Sequence, residues 1–177
     1  MTYPQAVFSA RSQMLKPIVK VIEVPLRPAQ AYDVFVDINS WWPLQTRSIS
    51  FHTTNLPAKR IDIDPKPGGA IVEIGADDTR HVWGVFADCD APASLEIDFH
   101  MGHPKEHATH LVIAFIDLGD EATMVKLVHT GWESYGALSH VMREGYENGW
   151  DDIFVNAYAS ACLKGGNSVH RPRSNTY

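Results

Sequence analysis

The feature that most limits the possible folds is a change in apolar spacing along the chain. Between residues 59 and 130, apolar and polar residues alternate in short runs separated by turn signals, a pattern typical of antiparallel strands. From Ser139 to Leu163 the apolar residues instead recur every three or four positions, which predicts one long amphipathic helix. The stripe comprises Leu138, Met142, Tyr146, Gly149, Ile153, Ala157 and Ala161. Of these, Leu138, Met142, Ile153 and Ala157 are expected to face a sheet.

The segment before residue 59 predicts another strand and one or two short helices. Ile18 to Val24 is rich in β-branched residues and reads as a strand. Pro28 suits the first turn of a helix, which the apolar spacing extends to Asp37. A second helical turn is predicted within Ser40 to Thr46, where Pro43 limits its length.

The alternating runs predict the remaining strands of the sheet. Gly84, inside one of them, marks a bulge or a close approach between strands. The predicted segments are Lys59–Asp64, Ala70–Gly75, His81–Ala87, Leu95–Phe99, Thr109–Asp117 and Ala122–Thr130.

One domain accounts for all these elements. The predicted boundaries are an extension over 1–17, a domain over 18–164, and a flexible tail over 165–177 that begins where Gly165 and Gly166 end the helix. The fold class is α+β, with an antiparallel sheet of about seven strands and the long C-terminal helix across it. If the sheet curls strongly, a hollow that can hold an apolar molecule is left under the helix.

Two adjacent tryptophans, Trp41 and Trp42, follow the predicted first helix and are closed by Pro43. Adjacent residues of a regular helix or strand do not share one face. Either one of the two rings is exposed, or both lie where the chain bends around a hollow.

Composition excludes several classes of function. The formal net charge is −6 and no Lys/Arg run occurs, which argues against nucleic-acid binding. No apolar stretch approaches the ~20 residues that span a bilayer, and the first residues lack signal-peptide features, so a cytoplasmic protein is predicted. Cys89 and Cys162 lack metal or redox spacing and are expected to be buried thiols. We expect neither a cofactor nor a metal; a homodimer remains open.

Several motifs, in order, resemble the START-like (SRPBCC, helix-grip) superfamily, and most of all the homologues of the heat-shock-chaperone ATPase activator. The matching pieces lie within about Ile18 to Leu163: SWWP, KPGG, VWGVF, DAPASLEI, ATMVKLVHTGWESYG and GYENGWDDIF. The resemblance implies the helix-grip fold, in which a curled antiparallel sheet is wrapped on the C-terminal helix with a cavity between them. The short helices of this fold lie at the open end of the sheet, so Trp41 and Trp42 are expected to diverge there. One ring closes the end of the core and the other faces the mouth of the cavity, and the sequence does not assign which is which. The segment HMGHPKEHATH departs from the family pattern, and many members carry a tryptophan near Phe99.

Aromatic and apolar residues on different elements are candidates for the wall of this cavity. A solid aromatic core is the alternative, because aromatic rings dominate core burial, and the resemblance favours a cavity. The candidate ligand-binding residues are Trp42, Trp83, Phe99, Phe115, Leu127, His129, Trp132, Tyr146 and Trp150.

His129 is the sharpest candidate for chemistry, because alternation places it on the apolar face of its strand with Val125 and Leu127. It either acts near a ligand or is a core histidine with satisfied hydrogen bonds. Glu73 and Glu96 are expected to be solvated. The cluster His100, His103, His107 and His110 is interpreted as a polar connection, because no spacing there matches a zinc site.

Three functions remain open. The first is binding of a small hydrophobic or amphipathic ligand without chemistry, a function that requires no catalytic residue. The second is a cyclase- or hydrolase-like enzyme that uses His129 as acid and base. The third is a protein-interaction domain that regulates a chaperone. A smooth apolar cavity favours the first, polar groups converging near His129 favour the second, and a filled core favours the third.

Overall fold

Seven antiparallel strands form one sheet in the order β1-β7-β6-β5-β4-β3-β2. The computed structural model describes residues 14–169, so much of the predicted extension and tail lies outside the described residues. The predicted seven-stranded sheet is confirmed. The strands are β1 (Ile18–Val24), β2 (Arg60–Ile63), β3 (Ala70–Ile74), β4 (Arg80–Asp90), β5 (Ser94–Phe99), β6 (Thr109–Gly119) and β7 (Ala122–Thr130).

Helical segments lie after β1, after β5 and after β7. Those after β1 are α1 (Pro28–Val36), a 3-10 turn (Ile38–Ser40) and α2 (Ile49–Thr54). Two further 3-10 segments are Lys105–His107 and Trp132–Leu138. The C-terminal helix, residues 139–169, comprises α3 (Ser139–Trp150), a π-helical stretch (Asp151–Tyr158) and α4 (Ala159–Val169). None of the helices within residues 14–169 combines the length and the apolar character that crossing a membrane requires.

The alternating pattern of the strands produces one buried face. In β5, Leu95, Ile97 and Phe99 are buried, whereas the residues between them are at least partly accessible. Gly84 lies at a shift in the register between β3 and β4, and a Cβ there would lie 2.5 Å from the carbonyl oxygen of Asp98. The predicted close approach at Gly84 is therefore confirmed, and it lets β4 and β5 pair tightly.

The C-terminal helix closes the core from the concave side of the sheet. Ile153, Phe154 and Tyr158 are buried, and the Tyr158 hydroxyl donates a hydrogen bond to the Ala31 carbonyl at 2.8 Å. This bond ties the helix to α1. Cys162 is also buried, and burial raises the pKa of its thiol to about 11.

Three local predictions are wrong. Leu138 does not face the sheet: it is 59% exposed and ends the 3-10 segment, which is kinked at Gly136. The helix does not end at Gly165 and Gly166 but continues to Val169. The second short helix is not within 40–46 but at α2, which begins after the N-cap residue Ser48.

Candidate ligand-binding site

A cavity of about 470 Å³ lies between the C-terminal helix, α2 and the loop after β5. Its volume is in the range of small-molecule sites, about 300–1,000 Å³. The fold therefore leaves a hollow in the region where the resemblance implied one. It is lined by Trp42, Arg47, Ile49, His52, His81, Phe99, Met101, Gly102, His103, Val141, Met142, Gly145, Tyr146, Gly149, Trp150 and Ile153.

Two glycines of α3 make room for the cavity. A Cβ built at Gly145 or Gly149 would meet no atom of the neighbouring structure within 4 Å, although Gly149 itself is buried. Glycine inside a helix costs roughly 0.5–1 kcal/mol relative to alanine. At these two positions the helix therefore forgoes stability and leaves open space beside the aromatic rings.

Four aromatic side chains form the inner wall. The Phe99 ring lies 6.2 Å from Trp150 and 6.1 Å from Tyr146, measured between centroids. Trp42 meets Trp150 edge-on at 6.0 Å. Burial raises the pKa of Tyr146, whose hydroxyl interacts with that of Tyr135, so the phenol stays neutral. The wall is apolar, with few polar atoms to satisfy.

The tryptophan pair diverges as the sequence predicted, and the structure assigns the two rings. The Trp41 indole donates to the Phe35 carbonyl at 3.1 Å and packs 5.2 Å from Tyr158 inside the core. The Trp42 indole donates to the Arg47 carbonyl at 2.6 Å, and its ring lines the cavity. Trp41 therefore closes the end of the core, and Trp42 faces the hollow.

Behind the inner wall, His129 holds a chain of hydrogen bonds. The Thr109 hydroxyl donates its hydrogen to the Phe99 carbonyl at 2.8 Å. Its oxygen can therefore only accept a hydrogen bond from His129 Nε2, at 2.7 Å. Nε2 therefore carries the hydrogen, and Nδ1 accepts from the Trp150 indole at 3.0 Å. His129 is fully buried, and burial lowers its pKa to about 3. It is a neutral core residue that orients Trp150 next to Phe99.

Glu73 is not solvated, contrary to the sequence-based expectation. It is fully buried, and its carboxyl oxygens accept hydrogen bonds from the amides of Ile49 at 2.8 Å and Ser50 at 2.7 Å. It also accepts from the Trp83 indole at 2.8 Å. Glu73 thus fixes the first turn of α2 to the sheet and places one side of the cavity.

The four histidines of the histidine-rich segment have different surroundings. His100 is buried, His103 lines the cavity, His107 bonds the Ser134 carbonyl at 2.6 Å, and His110 lies beside Glu96 on the sheet surface. Within residues 14–169, no three His, Cys, Asp or Glu side chains are grouped as a metal site would need.

The structure brings together four of the nine candidate ligand-binding residues at the cavity: Trp42, Phe99, Tyr146 and Trp150. The other five, Trp83, Phe115, Leu127, His129 and Trp132, are buried outside its lining. Phe115 packs against α1 instead, with its ring centroid 5.4 Å from that of Tyr32. Contact of any of the nine with a ligand stays a prediction.

Sequence reasoning missed the polar and small residues of the cavity. Ile49 and His52 belong to a helix that was not predicted at that place. His81, at the start of a predicted strand, and His103, in the connection after Phe99, were not assigned to the cavity. The signal that was present is the pair Gly145 and Gly149, four residues apart on the predicted helix. Spaced glycines on one helical face indicate a close approach or an open space.

The sequence comparison decides the family. Residues 26–156, which make up most of the chain, match the family described as activator of Hsp90 ATPase homolog 1-like protein. The chain belongs to this family. No curated protein matches the sequence significantly. The START-like helix-grip fold suggested by the motifs is thereby confirmed, and it supports a ligand-binding or chaperone-related domain.

Solved structures with the same fold have varied described roles. A self-sacrificing resistance protein from Micromonospora echinospora is 19% identical, with a TM-score of 0.60 and coverage of 86% of this chain and 95% of its own. For an anthrahydroquino-gamma-pyrone synthase the values are 18%, 0.57, 84% and 97%. For an Hsp90 activator from Plasmodium falciparum they are 17%, 0.53, 78% and 90%. At these identities the likeness shows the fold alone.

Proposed function

We propose that this member of the activator of Hsp90 ATPase homolog 1-like family binds a small hydrophobic or amphipathic molecule in the cavity beside α3. The observation that carries the proposal is the unfilled volume of about 470 Å³ between four aromatic rings and two helix glycines. Transfer of an apolar ligand from water to such a wall is favourable by roughly 25 cal/mol per Å² of buried apolar surface.

The alternative of an enzyme with His129 as acid and base has less support. Both ring nitrogens of His129 are engaged by Thr109 and Trp150, and the side chain lies outside the cavity lining. A general acid or base works best with a pKa near the operating pH, whereas burial lowers the pKa of His129 to about 3. The geometry therefore favours binding without chemistry.

Chaperone regulation is the other alternative, drawn from the family description. A filled core was the expected sign of a domain whose role is protein interaction alone. The open cavity instead supports a ligand, and the Hsp90-activator neighbour shares only the fold with this chain.

A neutral fluorescent probe tests the proposal. We expect N-phenyl-1-naphthylamine to bind wild type saturably, with enhanced probe emission and quenching of tryptophan emission from Trp42 and Trp150. In Gly149→Phe the new ring enters open space, so we expect at least about tenfold weaker binding, or 1.4 kcal/mol. The melting temperature should stay at or above that of wild type, because a helix glycine is lost.

Asn148→Phe is the matched control, since Asn148 is exposed on the same helix and does not line the cavity. It adds the same ring outside the hollow and should bind the probe as wild type does. Absence of saturable binding to wild type, or equal affinity of Gly149→Phe and wild type, would contradict the proposed function.

A further inference from the structure

The ionisable side chains that line the cavity include basic groups but no acidic group. Apart from the neutral Tyr146, the ionisable residues in its lining are Arg47, His52, His81 and His103, and the lining residues include no Asp or Glu. The whole chain has 21 acidic and 15 basic residues, with a net charge of −6. A lining with the composition of the whole chain would include carboxylates. Their absence therefore distinguishes the cavity lining from the rest of the protein.

These four side chains come from separate parts of the fold. Arg47 precedes α2, His52 lies on α2, His81 lies near the start of β4, and His103 follows β5. None is adjacent to another in sequence. The fold therefore gathers nitrogen donors from the loop before α2, α2 itself, the sheet and the β5 loop at one cavity.

The donors lie at the open end and the aromatic rings at the closed end. His52 and His103 are exposed, and the Arg47 side chain is 34% exposed, whereas Trp42, Phe99 and Trp150 are at most 7% exposed. Arg47 is held at this end by an ion pair with Asp152 at the start of the π-helical stretch. The site is therefore amphipathic along one axis, with an apolar inner end and a donor-rich mouth.

Asp152 accounts for the position of Arg47, but not for the three histidines. A metal would need further ligands, and within the described residues 14–169 no group of three metal-binding side chains occurs. Partial desolvation, together with the neighbouring His107 and His100, lowers the pKa of His103, so this imidazole is neutral at neutral pH and offers one N–H. An anionic oxygen at the mouth would accept from such donors and from the Arg47 guanidinium, as charge-assisted hydrogen bonds.

We propose that the ligand is an aromatic acid: a ring system that lies against Trp42, Phe99 and Trp150, with one anionic oxygen group at the mouth held by Arg47 and the three histidines. This inference rests on the proposed function and specifies the chemical class of its ligand. The orientation follows from the structure, because the reverse would bury the anion among indole rings without a cationic partner.

Two probes that differ by one charged group test the inference. They are 8-anilinonaphthalene-1-sulfonate and its neutral parent N-phenyl-1-naphthylamine, titrated at the same pH and salt concentration. Only binding that Gly149→Phe removes is counted, so that other surface sites do not contribute. We expect the sulfonate to bind wild type at least about tenfold more tightly than the neutral probe, a step of 1.4 kcal/mol.

The triple variant His52→Ala, His81→Ala, His103→Ala should reduce this preference at least about threefold, because it removes the imidazole N–H donors from the mouth. The control His110→Ala removes a histidine that lies outside the cavity beside Glu96, and it should leave the preference unchanged.

The outcomes separate the two proposals. Equal affinity of wild type for the two probes overturns the aromatic-acid inference and leaves the proposed function standing. A preference that the triple variant does not reduce, or that His110→Ala reduces equally, also overturns it. If neither probe binds wild type in a manner that Gly149→Phe blocks, the proposed function itself fails.

Discussion

Glu73→Ala will destabilise the protein by about 3–5 kcal/mol, the largest effect expected of a single substitution here. The carboxyl group accepts three hydrogen bonds, from the amides of Ile49 and Ser50 and from the Trp83 indole, in a fully buried position. Each buried donor left without a partner costs roughly 1–3 kcal/mol. Urea unfolding followed by circular dichroism measures the loss.

Glu96→Ala is the matched control, because the sequence predicted both glutamates to be solvated. The Glu96 side chain is 42% exposed and lies 3.4 Å from His110 on the sheet surface. Its removal should change the free energy of unfolding by less than about 1 kcal/mol. Equal effects of the two substitutions would contradict the role assigned to Glu73.

The stability of the protein will fall below about pH 6.5 because of His129. The unfolded chain takes up a proton on this imidazole near pH 6.5, whereas in the folded state burial lowers the pKa to about 3. Between these values the unfolded state binds more protons, so stability is fully present above pH 6.5 and declines as the pH falls toward 3. At pH 5 the loss from this one residue is about 2 kcal/mol relative to pH 8.

His129→Gln isolates this contribution. At pH 8 we expect the variant to be less stable than wild type by about 1–3 kcal/mol, because the hydrogen bonds to Thr109 and Trp150 are disturbed. Glutamine does not titrate, so the deficit should shrink by about 2 kcal/mol at pH 5. A deficit that is the same at both pH values would show that His129 is not held neutral by burial.

The architecture could be predicted from the sequence because its signals are local and repeated. Alternation at Leu95, Ile97 and Phe99 and the helical spacing around Ile153 each reflect one buried face. Gly84 also carried its own signal, since a glycine within a strand indicates a bulge or close approach. Each of these features depends on neighbours within a few positions.

The site depended on contacts that are distant in sequence, and it was harder to predict. The helix α2 has only six residues, and two threonines and a histidine among them have weak helix propensity. Its first turn is held by hydrogen bonds to Glu73, which lies on β3. Leu138 fits the helical period, but the kink at Gly136 leaves it exposed. Which of two adjacent tryptophans faces the hollow likewise depended on where the chain turns after Trp42.

The π-helical stretch Asp151–Tyr158 is a further reason why periodicity placed the helix faces only approximately. A π-helical turn contains more residues than an α-helical turn, so it rotates later residues relative to an extrapolated α-helix. Trp150 and Ile153 line the cavity at this point, while Phe154 and Tyr158 enter the core.

The most direct measurement of the central claim is a titration of ¹⁵N-labelled protein with N-phenyl-1-naphthylamine, observed through the glycine amides. Gly102, Gly145 and Gly149 line the cavity, whereas Gly68 and Gly119 do not. We predict saturable shifts of the first three amide signals and little change in the other two. Saturable binding that shifts Gly68 or Gly119 and leaves Gly145 and Gly149 unmoved would contradict a ligand site beneath the C-terminal helix.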